Sequence, residues 1–134
     1  MTRKVMFDKL IRDKIPPLIE EVNYVHRVPE EKLVPYIVKK LLEESEEVKI
    51  AALHYILGNY TRDKVIDELG DVLEVVDFLM QKLNICNDEV LLAKEDKKKR
   101  LGGFDEGLIL SFIEIWDDEP EKENVDDYIC NTDC

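Results

Sequence analysis

Apolar residues recur at helical spacing in two long stretches of the chain. Val34, Ile37, Leu41, Val48 and Ala51 fall on one arc at roughly 100° per residue. Leu69, Leu73, Val76, Met80 and Leu83 do the same further on. The first stretch predicts a helix that begins close before Pro35, because proline is tolerated only near a helix start, and runs to about Leu57. Pro29, Glu30 and Glu31 suit that start, since proline needs no donor there and acids favour the positive end of the helix dipole. Gly58-Asn59 is a stop signal, and Thr61 can cap a second helix from about Arg62 to Leu83. So short a connection makes the two helices antiparallel neighbours. Asn87 or Asp88 can cap a third helix that ends at Arg100, before Leu101-Gly102-Gly103.

The pattern defines an all-α protein. Helices with wide apolar arcs in so small a chain predict an antiparallel helical bundle completed by homo-oligomerisation, as a homodimer or homotetramer. Ahead of the bundle, Phe7 to Pro16 mixes apolar and basic residues and predicts a short ordered element, closed by a Pro16-Pro17 turn after which Leu18 and Ile19 pack down. Val22 to Val28 reads as a connection. Leu108 to Trp116 is apolar enough to be ordered, as an extended segment or a short helix. These divisions give one domain over residues 1–116 and an acidic, mobile tail over 117–134.

Charge sharpens this division. The 134-residue chain has a net charge of −12, yet residues 105–134 carry 11 acids against one lysine. The helical part is nearly neutral, and the acidity argues against nucleic-acid binding. Three cysteines, Cys86, Cys130 and Cys134, with no secretory leader, point to a reducing, cytoplasmic setting. No apolar run approaches the ~20 residues that cross a bilayer, so no membrane partner is expected. His26 and His54 are isolated and read as packed or surface histidines.

The chemistry lies in two acidic clusters, Glu43-Glu44-Ser45-Glu46-Glu47 and Glu68-Leu69-Gly70-Asp71. Glu44 with Glu47 and Glu68 with Asp71 are spaced i, i+3, so each pair projects from one helix face. Glu44 falls inside the first apolar arc and Glu47 at its edge. Glu68 flanks the second arc, with Asp71 just beyond. In antiparallel helices the four carboxylates converge, and at ~4–5 Å each like-charged pair repels by about 3–4 kcal/mol at an effective dielectric near 20. Protonation or a cation must relieve that repulsion. Mg²⁺ suits the task, since it accepts carboxylates and bridges to substrate phosphates. The alternative is an ordinary solvated acidic face. Lys9 and Arg12, with Lys14, form a basic strip suited to phosphate contact, as are Lys97 and Arg100 at i, i+3. The run Lys97-Lys98-Lys99-Arg100 also suits a helix C-terminus without any further role.

With these residues in view, the chain resembles the all-α nucleoside-triphosphate pyrophosphohydrolases, the MazG-like proteins and their relatives. The family pattern Glu-Glu-x-x-Glu followed by Glu-x-x-Asp is met by Glu43-Glu44-x-x-Glu47 and Glu68-x-x-Asp71. Lys9-Leu10-Ile11-Arg12-Asp13-Lys14-Ile15-Pro16 and the lysine-rich run into Gly102-Gly103-Phe104 are similar to a phosphoribosyl-ATP pyrophosphohydrolase-like branch. Gly70 departs from the helix former expected there. The resemblance spans residues 5 to 110 and implies hydrolysis of the α–β phosphate bond of a nucleotide to monophosphate and pyrophosphate, with Mg²⁺ or Mn²⁺, in dimers or tetramers. It implies Glu44, Glu47, Glu68 and Asp71 as metal ligands and Glu43 as the residue that orients or deprotonates the attacking water. Lys9, Arg12, Lys97 and Arg100 would meet the substrate's phosphates. Two alternatives stand beside this nucleotide house-cleaning role: phosphoribosyl-ATP hydrolysis in histidine synthesis, and a non-enzymatic helical interaction module.

Overall fold

The computed structural model describes residues 3–15 and 25–116, and all regular structure among them is helical. Three helices follow in order: α1 (Glu30–Ile56), α2 (Arg62–Lys82) and α3 (Asn87–Leu101). The Pro16-Pro17 turn, Leu18 and Ile19, and the acidic tail with Cys130 and Cys134, lie outside the described residues. The chain divides into two units, Met1–Asp96 and Lys97–Cys134.

Helix ends follow the sequence signals closely. α1 opens directly after Pro29, with Glu30 and Glu31 in its first turn. It starts further ahead of Pro35 than expected, so this proline lies inside the helix. Pro35 is exposed, which lets the carbonyl one turn earlier turn to water in place of the missing amide. At its other end, Gly58 adopts φ +81°. The Gly58 amide donates to the Tyr55 carbonyl (3.0 Å), and the Asn59 amide to His54 (2.8 Å). This paired arrangement closes the last turn and requires a residue that tolerates positive φ. Thr61 caps α2, its hydroxyl accepting from the Lys64 amide at 3.3 Å. Asn84, at φ 54°, ends α2 in the same manner as Gly58 ends α1: the Ile85 amide donates to Met80 (2.9 Å) and the Asn84 amide to Gln81 (3.3 Å).

α1 and α2 pack as an antiparallel hairpin. Lys82 at the end of α2 bridges Glu30 at the start of α1 at 2.9 Å, which fixes their opposite directions. Along α1 the buried side of the seam is Leu33, Ile37, Glu44 and Ala51. Ile37, Glu44 and Ala51 are seven residues apart, so the carboxylate takes a core position in a line of apolar ones. On α2 the buried residue is Glu68. The first half of α2 faces α1 through Val65, Glu68 and Val72, with Leu69 and Leu73 exposed, Leu73 at 65%. The inward face is therefore turned by one residue from the expected arc, with an acid at its centre.

Elsewhere the sequence expectations are met only in part. Residues 3–12 form no helix or strand, and a turn closes at Ile15, whose amide donates to the Arg12 carbonyl (3.1 Å). α3 has no buried residue. Leu108 to Trp116 is neither helix nor strand, and its large apolar side chains are exposed. No helix among the described residues is long and apolar enough to cross a membrane.

Candidate metal centre

Two helices and the N-terminal segment meet at the middle of the hairpin seam. Glu44 from α1 and Glu68 and Asp71 from α2 each offer an oxygen within 4.8 Å of the others. Glu44 and Glu68 are buried, at 9% and 6% exposure, and Asp71 is half-buried. Helical periodicity explains the convergence, since Glu44 continues the Ile37–Ala51 line and Glu68 and Asp71 stand one turn apart opposite it. Three carboxylates at this spacing repel one another by about 3–4 kcal/mol per pair at an effective dielectric near 20.

Cations of the protein itself answer that repulsion. Lys40, one turn ahead of Glu44, bridges it at 3.0 Å and Glu43 at 3.3 Å. Lys64, one turn ahead of Glu68, bridges it at 2.6 Å. The identical i, i+4 spacing gives each buried acid its own lysine, with the acid C-terminal to it. Both were legible in the sequence and absent from the expected site. Two more cations arrive from the N-terminal segment: Lys9 reaches Glu43 at 2.9 Å and Arg12 reaches Asp71 at 2.6 Å. Four acids thus face four bases.

The pairs also set proton affinities. Burial alone would raise the Glu43 carboxyl, but the Lys9 hydrogen bond and the Lys40 and Lys9 charges outweigh it and hold the group below its ordinary 4.5. Lys40 is raised above 10.5: burial opposes its charge, and its bonds to Glu44 and Glu43 prevail. Lys64 is raised chiefly by its hydrogen bond and charge pairing with Glu68. The signs define a window. A lowered Glu43 contributes stability that is lost as pH falls through its folded value, and raised lysines contribute stability lost as pH rises through theirs. The contributions of Glu43, Lys40 and Lys64 are therefore full between about pH 4.5 and about pH 10.5 and decline outside that window.

Among the expected ligands, Glu44, Glu68 and Asp71 come together, and Glu47 lies outside the 4.8 Å group. Glu47 is exposed, and its charge contributes to raising Lys64. Glu43 borders the cluster through Lys40, which it shares with Glu44. Lys97 and Arg100 are exposed near the end of α3 and belong to the second unit. Gly70 is exposed with open space around its Cα, so no close neighbour requires a glycine there.

An all-oxygen, anionic donor set suits hard divalent cations. Three carboxylate oxygens within 4.8 Å of one another could share one cation. Comparison of the chain with family models, with curated proteins and with solved structures found no match.

Proposed function

We propose that this protein is a Mg²⁺-dependent nucleotide pyrophosphohydrolase, with Glu44, Glu68 and Asp71 as the metal-holding carboxylates and Glu47 at the rim of the site. The observation that carries the reading is the meeting of two buried carboxylates from adjacent helices with a third, all within 4.8 Å of one another. Burying a charge is unfavourable unless it is paired, and a stability-driven core would place an aliphatic residue at Glu44. The resemblance of Glu43-Glu44-x-x-Glu47 and Glu68-x-x-Asp71 to the MazG-like pattern supports the same assignment.

A divalent cation in this site would supply electrophilic charge beside the phosphates and acidify water. Glu43 stays ionised at neutral pH through Lys9 and Lys40, which makes it a weak base and favours its role in orienting the attacking water. The water oxygen bonds to phosphorus as the α–β bridging P–O bond breaks, pyrophosphate leaves, and the proton passes to a carboxylate or to solvent. Lys9 and Arg12 would stabilise the charge that develops on the phosphate oxygens, and phosphoryl transfer depends mainly on such positioning. Apolar side chains left exposed on both hairpin helices, Leu42 and Leu73 among them, support a homo-oligomer that completes the bundle.

One observation favours a second reading. The four-to-four charge balance lets the hairpin fold without metal, as a helical interaction module with a neutralised acidic core would. A single assay separates the two. Nucleoside triphosphates and phosphoribosyl-ATP are incubated with the protein, with Mg²⁺ or with chelator, and scored for pyrophosphate. The hydrolase reading expects Mg²⁺-dependent release from at least one of them and a saturable rise in melting temperature with Mg²⁺. Absence of both results would leave the interaction module.

A further inference from the structure

Lys9 and Arg12 are three residues apart on a segment without regular structure, yet they reach opposite helices. Lys9 bonds Glu43 of α1 and Arg12 bonds Asp71 of α2, across 34 and 59 residues of sequence. Between them Leu10 and Ile11 are half-buried, so the segment lies across the mouth of the carboxylate cluster. A separate latch holds its leading end. Asp8 accepts a hydrogen bond from the Tyr36 hydroxyl, and Lys39 donates to the Asp8 backbone carbonyl at 2.6 Å and lies 3.7 Å from its carboxylate. Tyr36 and Lys39 thus bind the strand of chain ahead of Lys9 and leave Glu43, Glu44, Glu68 and Asp71 to other cations.

The segment is built to exchange. Lys9 and Arg12 are 38% and 56% exposed, and Met6 and Phe7 ahead of them are exposed as well. Polar contacts at the surface hold it in place beside the half-buried Leu10 and Ile11, and such exposed ion pairs are weak and readily traded. Lys40 and Lys64 differ, since each shares a helix with its acid and its backbone stays one turn away when the side chain swings aside.

We infer that residues 8–12 act as an internal counter-ion strap. Latched through Asp8, the strap holds Glu43 and Asp71 with Lys9 and Arg12 and competes with a divalent cation for the cluster. When the cation takes Asp71, Arg12 becomes available to the phosphates that arrive with it, with Lys9 beside it on the same strap. Cation and polyphosphate then bind with positive, reciprocal coupling. The second half of this inference rests on the hydrolase reading above, whereas the competition itself requires only that the cluster binds a divalent cation.

The latch gives a test that plain electrostatics fails to mimic. Mn²⁺ is titrated, by calorimetry, into the full chain and into the Tyr36→Phe and Asp8→Asn variants, each verified by circular dichroism to keep its helices. Loosening the strap raises the fraction of molecules with accessible carboxylates, so both variants are expected to bind Mn²⁺ about threefold to tenfold more tightly. Simple charge counting predicts no change for Tyr36→Phe and weaker binding for Asp8→Asn, which loses a negative charge. Equal or weaker Mn²⁺ binding in either variant overturns the strap and leaves the metal centre standing. No saturable Mn²⁺ binding in any of the three proteins overturns the metal centre and the strap together.

Discussion

Replacement of Glu68 by glutamine is expected to reduce Mg²⁺-dependent pyrophosphate release by about a hundredfold or more, the scale on which a lost electrostatic stabiliser acts at a reacting centre. The amide preserves the shape of the side chain and removes its charge. Stability should not suffer in proportion. Glu68 repels Glu44 and Asp71, both within 4.8 Å, by about 3–4 kcal/mol each at an effective dielectric near 20. Its favourable partner Lys64 is half-exposed, so that pairing is screened by solvent and the lysine can be solvated once released. The melting temperature without metal is therefore expected to hold or rise, while the rise induced by Mg²⁺ disappears. Activity assays alongside thermal melts check both. Asp71→Asn gives a second case at a half-buried position, where loss of fold is a smaller risk, and Glu44→Gln tests the facing helix. Wild-type rates in these variants would remove the carboxylates from the reaction. Loss of rate with a collapsed melt in all three would make them structural.

The second large effect concerns the core. Ile37→Ala is expected to destabilise the protein by about 2–5 kcal/mol, the range for truncating a buried isoleucine. Ile37 is fully buried and stands two turns along the seam from Glu44. Domains of this kind rest on about 5–15 kcal/mol in total. The buried apolar residues among those described are few, Leu33 and Ala51 beside Ile37, so little else is available to compensate. Denaturant unfolding of the variant checks this through its midpoint. Because the seam also sets the spacing of Glu44 and Glu68, Mg²⁺ affinity is expected to weaken in the same variant. An unchanged midpoint would mean that the stability resides outside the hairpin.

The elements whose ends carry specific local chemistry were legible in the sequence. Gly58-Asn59 and Thr61 mark the turn of the hairpin because a positive φ and a capping hydroxyl are demanded there. Glu44 was legible for a related reason, its regular spacing from Ile37 and Ala51. The face of α2 was not. Counting apolar residues centres it on Leu69 and Leu73, which are exposed, while the inward line runs through Val65, Glu68 and Val72. A helix with apolar residues on more than one side leaves its orientation to tertiary packing. Here Glu68 turns inward opposite Glu44, stabilised by Lys64. The lysines at i−4 from both buried acids were readable from spacing, but a lysine on an amphipathic helix is ordinarily solvated and so carries no signal of its own. Lys9 and Arg12 were identified as site residues, but their carboxylate partners were not, since contacts 34 and 59 residues away leave no periodic trace. Leu108 to Trp116 is apolar enough to suggest order, yet it has neither regular structure nor cover among the described residues.

Divalent-cation binding by three carboxylates that meet between α1 and α2 underlies every step of the proposed reaction. Crystals grown or soaked with Mn²⁺, with diffraction collected at the manganese absorption edge, address this directly. An anomalous peak bounded by Glu44, Glu68 and Asp71, and lost in Glu68→Gln crystals, is the predicted result. Clear density for Lys40, Lys64 and Arg12 on those carboxylates at saturating Mn²⁺, with no anomalous signal between the helices, would contradict it.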